Sequence, residues 1–141
     1  MPDATETDIR AILTTAQVIA VVGWSPNPDR PSHGVAAILA RQGYRVIPVN
    51  PGQAGKVALG EVVQPSLAAI AGHVDMVDIF RRSDEAGAVA DEAVAICAGA
   101  VWMQLGVRDE AAATRARAAG LRVVMNRCPA IEIPRLGIVR A

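Results

Sequence analysis

Cysteine is scarce: the two present, Cys97 and Cys128, are too few for a disulfide scaffold and stand at no zinc-ligand spacing. Net charge is absent as well. Fourteen basic residues against 14 acidic ones give +0, which removes any global field for nucleic acid or an anionic membrane surface, so an anion site has to be local. No apolar run reaches the roughly 18 residues that a bilayer span requires. Residues 1–8 are acidic and polar where a secretory signal is basic and then apolar, so a cytoplasmic protein is expected. Repeats and low-complexity linkers are also missing. What remains is 141 residues, 52% of them hydrophobic, enough for one domain spanning 1–141 with a full core. Thirteen of the 14 basic residues are arginine, a composition that suits bidentate phosphate contacts and that a GC-rich genome would equally produce.

Apolar runs alternate with amphipathic stretches along the whole chain. That pattern predicts an α/β, Rossmann-like three-layer αβα fold with a mainly parallel five-stranded sheet. Strands are predicted over 18–23, 45–49, 74–80, 100–104 and 121–125. Helices are predicted near 7–13, capped by Thr5 or Thr7, and over 32–42, 65–70, 84–98 and 109–119. Residues 56–59 form a short arm. Pro48 lacks a ladder donor, so its strand ends there or lies at a sheet edge. Asp75 and Asp78 stand three apart and point to opposite faces of their strand, which argues against a paired-carboxylate site. Ligands of open parallel sheets bind beyond the carboxyl ends of the strands, where strand order reverses. The segments to weigh are therefore Gly23-Trp-Ser-Pro, Pro48-Val-Asn-Pro51, Phe80-Arg-Arg-Ser83, Gln104-Leu-Gly106 and Asn126-Arg-Cys128.

The first of these runs from a buried strand into a proline-studded loop. A dinucleotide fingerprint needs three glycines, and only Gly23 and Gly34 are here. Ser25, Asn27 and Ser32 offer side-chain donors instead, the amides opening the next helix add the positive end of its dipole, and Arg30 can pair with a phosphate. The competing account is a rigid surface turn with Ser32 as an ordinary N-cap. After strand two an NAD site would place Asp or Glu on the ribose, whereas this chain has Pro48-Val-Asn-Pro51. The main argument for NAD falls away, and there is room for a 3′-phosphorylated nucleotide with the prolines as an apolar wall for adenine.

Five segments in order, Gly23-Trp-Ser-Pro-Asn-Pro-Asp-Arg-Pro-Ser32, Gly43-Tyr-Arg-Val-Ile-Pro-Val-Asn-Pro51, Asp75-Met-Val-Asp-Ile-Phe-Arg-Arg-Ser83, Val101-Trp-Met-Gln-Leu-Gly-Val107 and Val124-Met-Asn-Arg-Cys128, resemble the small stand-alone CoA-binding protein family. That family in turn resembles the CoA-binding domain of the succinyl-CoA synthetase alpha subunit. The likeness spans roughly residues 10–137. It implies coenzyme A or an acyl-CoA as ligand and no established reaction. It places Ser25, Pro26 and Arg30 at the nucleotide phosphates, Val49, Asn50 and Pro51 by adenine and ribose, and Phe80, Arg81 and Arg82 along the ligand path. Two departures stand out: a lysine the family often carries before the strand-four tryptophan is replaced by Ala98-Gly-Ala100, and Glu-His after the cysteine by Glu132-Ile133.

Among residues with chemistry, Cys128 follows strand five at the ligand end, where its thiol can meet that of CoA, although no activating base stands near it in sequence. Cys97 is expected in the core. His33 opens the helix after the loop, His73 reads as solvated, and neither has the setting of a phosphorylated histidine. Trp102 and Met103 read as core, Gln104 faces the ligand, Gly23 and Trp24 form the loop's start, and Glu132 pairs with arginine. The expectation is a CoA- or acyl-CoA-binding protein without turnover of its own. Alternatives are a thiol, redox or acyl-CoA enzyme using Cys128, and a CoA-responsive regulatory subunit docking a protein partner. Apolar helices also permit a homodimer.

Overall fold

The computed structural model describes residues 4–139; residues 1–3 of the acidic opening segment, and 140–141, lie outside the described residues. Thr5 opens the first helix (α1, Glu6–Thr15) with a capping box: its Oγ accepts the Asp8 amide at 3.2 Å and the Asp8 carboxylate accepts the Thr5 amide at 3.1 Å. Strand β1 (Val18–Val22) leads through the proline-rich loop to α2 (Pro31–Arg41), whose first position is a proline that needs no amide there. Strand β2 (Arg45–Val49) is followed by a 3-10 turn (Pro51–Gln53) and a hairpin of β3 (Val57–Ala58) and β4 (Glu61–Val62). Then come β5 (Met76–Ile79), α3 (Ser83–Ala95), β6 (Ala100–Met103), α4 (Glu110–Ala118), β7 (Arg122–Val124) and α5 (Pro129–Arg135).

The main sheet has the order β2-β1-β5-β6-β7, and every neighbouring pair is parallel. This is the predicted Rossmann-like α/β architecture. Pro48 sits in β2 at the sheet edge, as its missing donor requires, and its carbonyl accepts from Gln64 at 2.9 Å. From β1 the chain moves outward to β2 and then returns to the other side of β1 at β5, so strand order reverses between β1 and β5. A crevice opens there beyond the strand ends.

Alternation along the strands divides the core in two. One face packs Ala20, Val22, Val77, Ile79, Val101 and Met103 against small residues of α3 and α4, among them Ala86, Ala90, Ala93, Ala112 and Ala116. The other packs Ile19, Val21, Met76, Trp102 and Val124 against Ile9, Ile12 and Leu13 of α1, Ala36 and Leu39 of α2, and Ile133 of α5. Trp102 is fully buried and its indole N–H donates to the Arg127 carbonyl at 2.9 Å. No helix among the described residues is long and apolar enough to cross a membrane.

Two local expectations are corrected and one element is added. Residues 65–70 form bends and a turn: the Ser66 hydroxyl accepts the Ala69 amide at 3.3 Å and Ile70 donates to Leu67 at 3.1 Å, but one turn does not propagate into a helix. Cys97 is exposed, because it stands just past the end of α3 in a left-handed conformation, φ +58°, that turns it out of the helix. The helix α5 was not foreseen.

Candidate functional site

At the crevice lies a cavity of about 890 Å³, within the range of about 300–1,000 Å³ typical of small-molecule sites. Its floor is the turn after β1. Gly23 has φ +86°, and a Cβ built on it would meet the Phe80 carbonyl oxygen at 2.2 Å, so only glycine lets the ends of β1 and β5 approach this closely. The Gly23 amide also donates across to Val49 at 3.1 Å.

The loop beyond is stiffened by its own side chains. Ser25 Oγ accepts the Asn27 amide at 3.1 Å, and Asn27 Oδ1 accepts the Asp29 amide at 2.9 Å. Asn50 ties the loop to the end of β2, donating from Nδ2 to the Trp24 carbonyl at 2.7 Å and accepting the Gly52 amide at 2.9 Å on Oδ1. Trp24 is buried and stacks on His33, ring centres 6.0 Å apart and planes 26° from parallel. The His33 ring in turn holds the Ser25 carbonyl through Nδ1 at 3.0 Å. Arg30 is the N-cap of α2 and supplies no side-chain cap, while Ser32, buried, sits inside the first turn. No side chain caps the helix: Pro31 has no amide to satisfy, and the His33 amide donates to the Arg30 carbonyl at 3.1 Å.

Charge is unevenly spread around the rim. Arg30 and Arg81 line it, and neither guanidinium has a carboxylate partner among the described residues. The opposite wall is α3, where Asp84, Glu85, Ala88, Val89 and Glu92 face the cavity. Pro65, Ser66 and Leu67 close a third side, and Gln104, Leu105 and Val107 come from the end of β6.

Eleven of the fourteen residues singled out from sequence come together here: Gly23, Trp24, Ser25, Arg30, Ser32, Val49, Asn50, Pro51, Phe80, Arg81 and Gln104. Pro26, Arg82 and Cys128 are outside the lining. Arg82 turns to Asp84 at 3.0 Å and Glu85 at 3.2 Å. Cys128 is 5% exposed at the N-cap of α5. Sequence reasoning missed the α3 wall and the 65–67 segment. The former carried a signal, since Glu85, Ala88, Val89 and Glu92 recur at helical spacing on one side.

Away from the cavity, Glu132 is buried and paired, accepting from Arg135 at 2.7 Å and lying 3.5 Å from Arg127. Asp78 is fully buried in mid-sheet, and burial pushes its carboxyl well above the usual carboxylate range. Among the described residues no group of three His, Cys, Asp or Glu side chains could hold a metal ion.

A family model described as the CoA binding domain matches residues 17–134. The Bacillus subtilis (strain 168) protein YneT is 38% identical over 128 residues, covering 91% of this chain and 93% of that protein. A solved structure from Thermus thermophilus is also 38% identical, with a TM-score of 0.89 over 94% of this chain and 99% of the other. Dinucleotide forming acetyl-coenzyme A synthetase 1 from Ca. Korarchaeum cryptofilum shares the fold at 23% identity and TM-score 0.69, over 82% of this chain and 26% of that one.

Proposed function

The chain belongs to the CoA binding domain family, and on that premise we propose that it binds coenzyme A or an acyl-CoA in the crevice between β1 and β5, without turning it over by itself. The observation that carries this reading is the rim: Arg30 and Arg81 without carboxylate partners, beside an α2 N-terminus that no side chain caps. Together they offer the nucleotide phosphates positive charge and free donors on one cavity. After β2 the Asn50 side chain is occupied by the loop and stands where an NAD site places Asp or Glu, so the strand-two position itself does not repel a phosphorylated ribose. The stem of Val49 and Pro51 offers an apolar wall for adenine. Cys128 lies outside the lining and is 5% exposed, which favours binding over a thiol mechanism.

Calorimetric titration with CoA, dephospho-CoA and NAD tests it. The 3′-phosphate is expected to contribute charge-assisted contacts, so its removal should weaken binding by about ten- to a hundredfold. Equal or tighter binding of NAD would overturn the reading.

A further inference from the structure

Two residues, Asp78 in β5 and Gln104 just past the end of neighbouring β6, carry buried oxygens that have no hydrogen-bond partner: both carboxyl oxygens of Asp78 and the carboxamide oxygen Oε1 of Gln104. They share a face. Val77 and Ile79 pack on the α3 side, so Asp78 points to the other side with Trp102, its register partner in β6. Met103 also packs on the α3 side, which turns Gln104 to the face of Asp78 one strand over and two residues on. Neighbouring strands run about 4.8 Å apart, so a side chain as long as glutamine two residues along the next strand can reach across. Buried oxygens left without a partner on one face of the sheet are a costly arrangement, and a proton on Asp78 shared with Gln104 Oε1 would satisfy both residues.

We propose that Asp78 is kept as a neutral carboxylic acid whose O–H donates to Gln104 Oε1, turning Gln104 Nε2 toward the cavity as a donor for a carbonyl of the ligand. Gln104 is 6% exposed and lines the cavity, so the donor meets whatever fills it. With the reading of the cavity as a CoA site, on which this half of the proposal rests, the acceptor is an amide of the pantetheine arm or the thioester carbonyl. Asp78 is a positioning residue and Gln104 the binding one.

The surroundings of Asp78 supply no compensating cation. Its strand neighbours are Val21 and Trp102. On α5, Glu132 is closed by Arg127 and Arg135; on α2, His33 is held at the Ser25 carbonyl; on α1, Glu6 pairs with Arg135 and Asp8 caps its own helix. Asp75 of the same strand segment accepts the amides of Gln17 and Val18. Burial alone acts on the carboxyl, and it favours the protonated form.

Carbon-13 NMR of the Asp78 carboxyl in the unliganded protein, assigned by its loss in Asp78→Asn, tests the pair. The carboxyl should stay protonated through neutral pH, and the Gln104 side-chain amide resonance should follow its titration. A carboxylate already ionised at neutral pH, or a Gln104 amide that ignores the titration, overturns the pair. Calorimetry tests the carbonyl role. Asp78→Leu and Gln104→Leu should each weaken CoA by about fivefold, the double variant no further, and adenosine 3′,5′-bisphosphate, which has no carbonyl, should be unaffected. Asp78→Asn keeps a donor and should keep CoA affinity. An Asn variant as weak as the Leu variant, or equal loss for both ligands, refutes it. A wild-type protein that binds neither ligand refutes the CoA reading and with it the carbonyl role, whereas the titration judges the Asp78–Gln104 pair without any ligand.

Discussion

Replacing Gly23 by alanine probes the single closest approach in the site. The new Cβ would stand 2.2 Å from the Phe80 carbonyl oxygen, and real Cβ contacts essentially never fall under 3.0 Å, so β1 and β5 would have to part at their ends. Neither end is free to move. Gly23 is tied to Val49 at 3.1 Å and Phe80 to Val22 at 2.9 Å, both through backbone hydrogen bonds. Alanine at φ +86° carries its own cost of about 1–2 kcal/mol, and overpacking typically adds about 1–3 kcal/mol. The sum, about 2–5 kcal/mol, is a large part of the roughly 5–15 kcal/mol that holds a domain of this size together.

Urea unfolding measures it: the midpoint should fall with little change in slope, and the melting temperature should drop by about 10 °C or more. CoA affinity should fall with it, since the moved carbonyl is part of the cavity floor. The control is Gly34→Ala, where nothing lies within 4 Å of the added methyl and the residue is inside α2; it should stabilise the protein by up to about 1 kcal/mol. A Gly23→Ala protein that unfolds within about 1 kcal/mol of wild type and binds CoA normally would show that the strand ends yield easily, and the geometric account of the floor would be wrong.

Arg30→Ala and Arg81→Ala should each weaken CoA about tenfold, with a shallower salt dependence than wild type, while Arg82→Ala, already engaged with Asp84 and Glu85, should change affinity less than about twofold; titrations at two ionic strengths decide. Asp78→Asn should be progressively more stable than wild type as pH rises. The folded carboxyl holds its proton above the unfolded value of about 3.9, so wild-type stability falls by up to about 1.4 kcal/mol per pH unit from there until the folded carboxyl ionises. Urea midpoints at acid and neutral pH read this directly, and a constant offset between the two proteins would contradict it. A thiol reagent should modify Cys97 quickly in the native protein and Cys128 only on unfolding; two fast thiols would mean that the N-cap of α5 opens readily.

Strand ends were readable from sequence because topology fixes what they do: once apolar runs and amphipathic stretches alternate, the carboxyl ends must converge, and Gly23, Arg30, Phe80, Arg81 and Gln104 follow. Pro48 was readable for the same reason, since a residue without a donor restricts its strand to an edge. The losses occur where tertiary packing overrides local chemistry. Cys97 follows an apolar helical stretch, yet one residue in the left-handed region at the helix end turns it to solvent. The helix at 129–135 is hidden by Pro129 and Pro134, which read as breakers, although Pro129 occupies the first helical position, where no amide is needed, and Pro134 is one residue from the end of a helix only seven long. Its place is set by burial of Ile133 and by Glu132 closing on Arg127 and Arg135, contacts that link separate turns of the chain.

Asp78 marks the same boundary most sharply. Alternation correctly set it apart from Asp75, and that argument removed a paired-carboxylate site, but it left open what a lone acid does in the middle of a sheet. Position in the sheet answers part of that. A carboxyl flanked by Val21 and Trp102 has no cation to keep it ionised, and the remaining buried acceptor on its side of the neighbouring strand belongs to Gln104 at the cavity wall. Burying the acid carries a cost that an apolar side chain of its size would avoid, so the acid is best understood through the oxygen it can serve: stability is given up in the core to hold a polar group at the ligand's edge in one orientation.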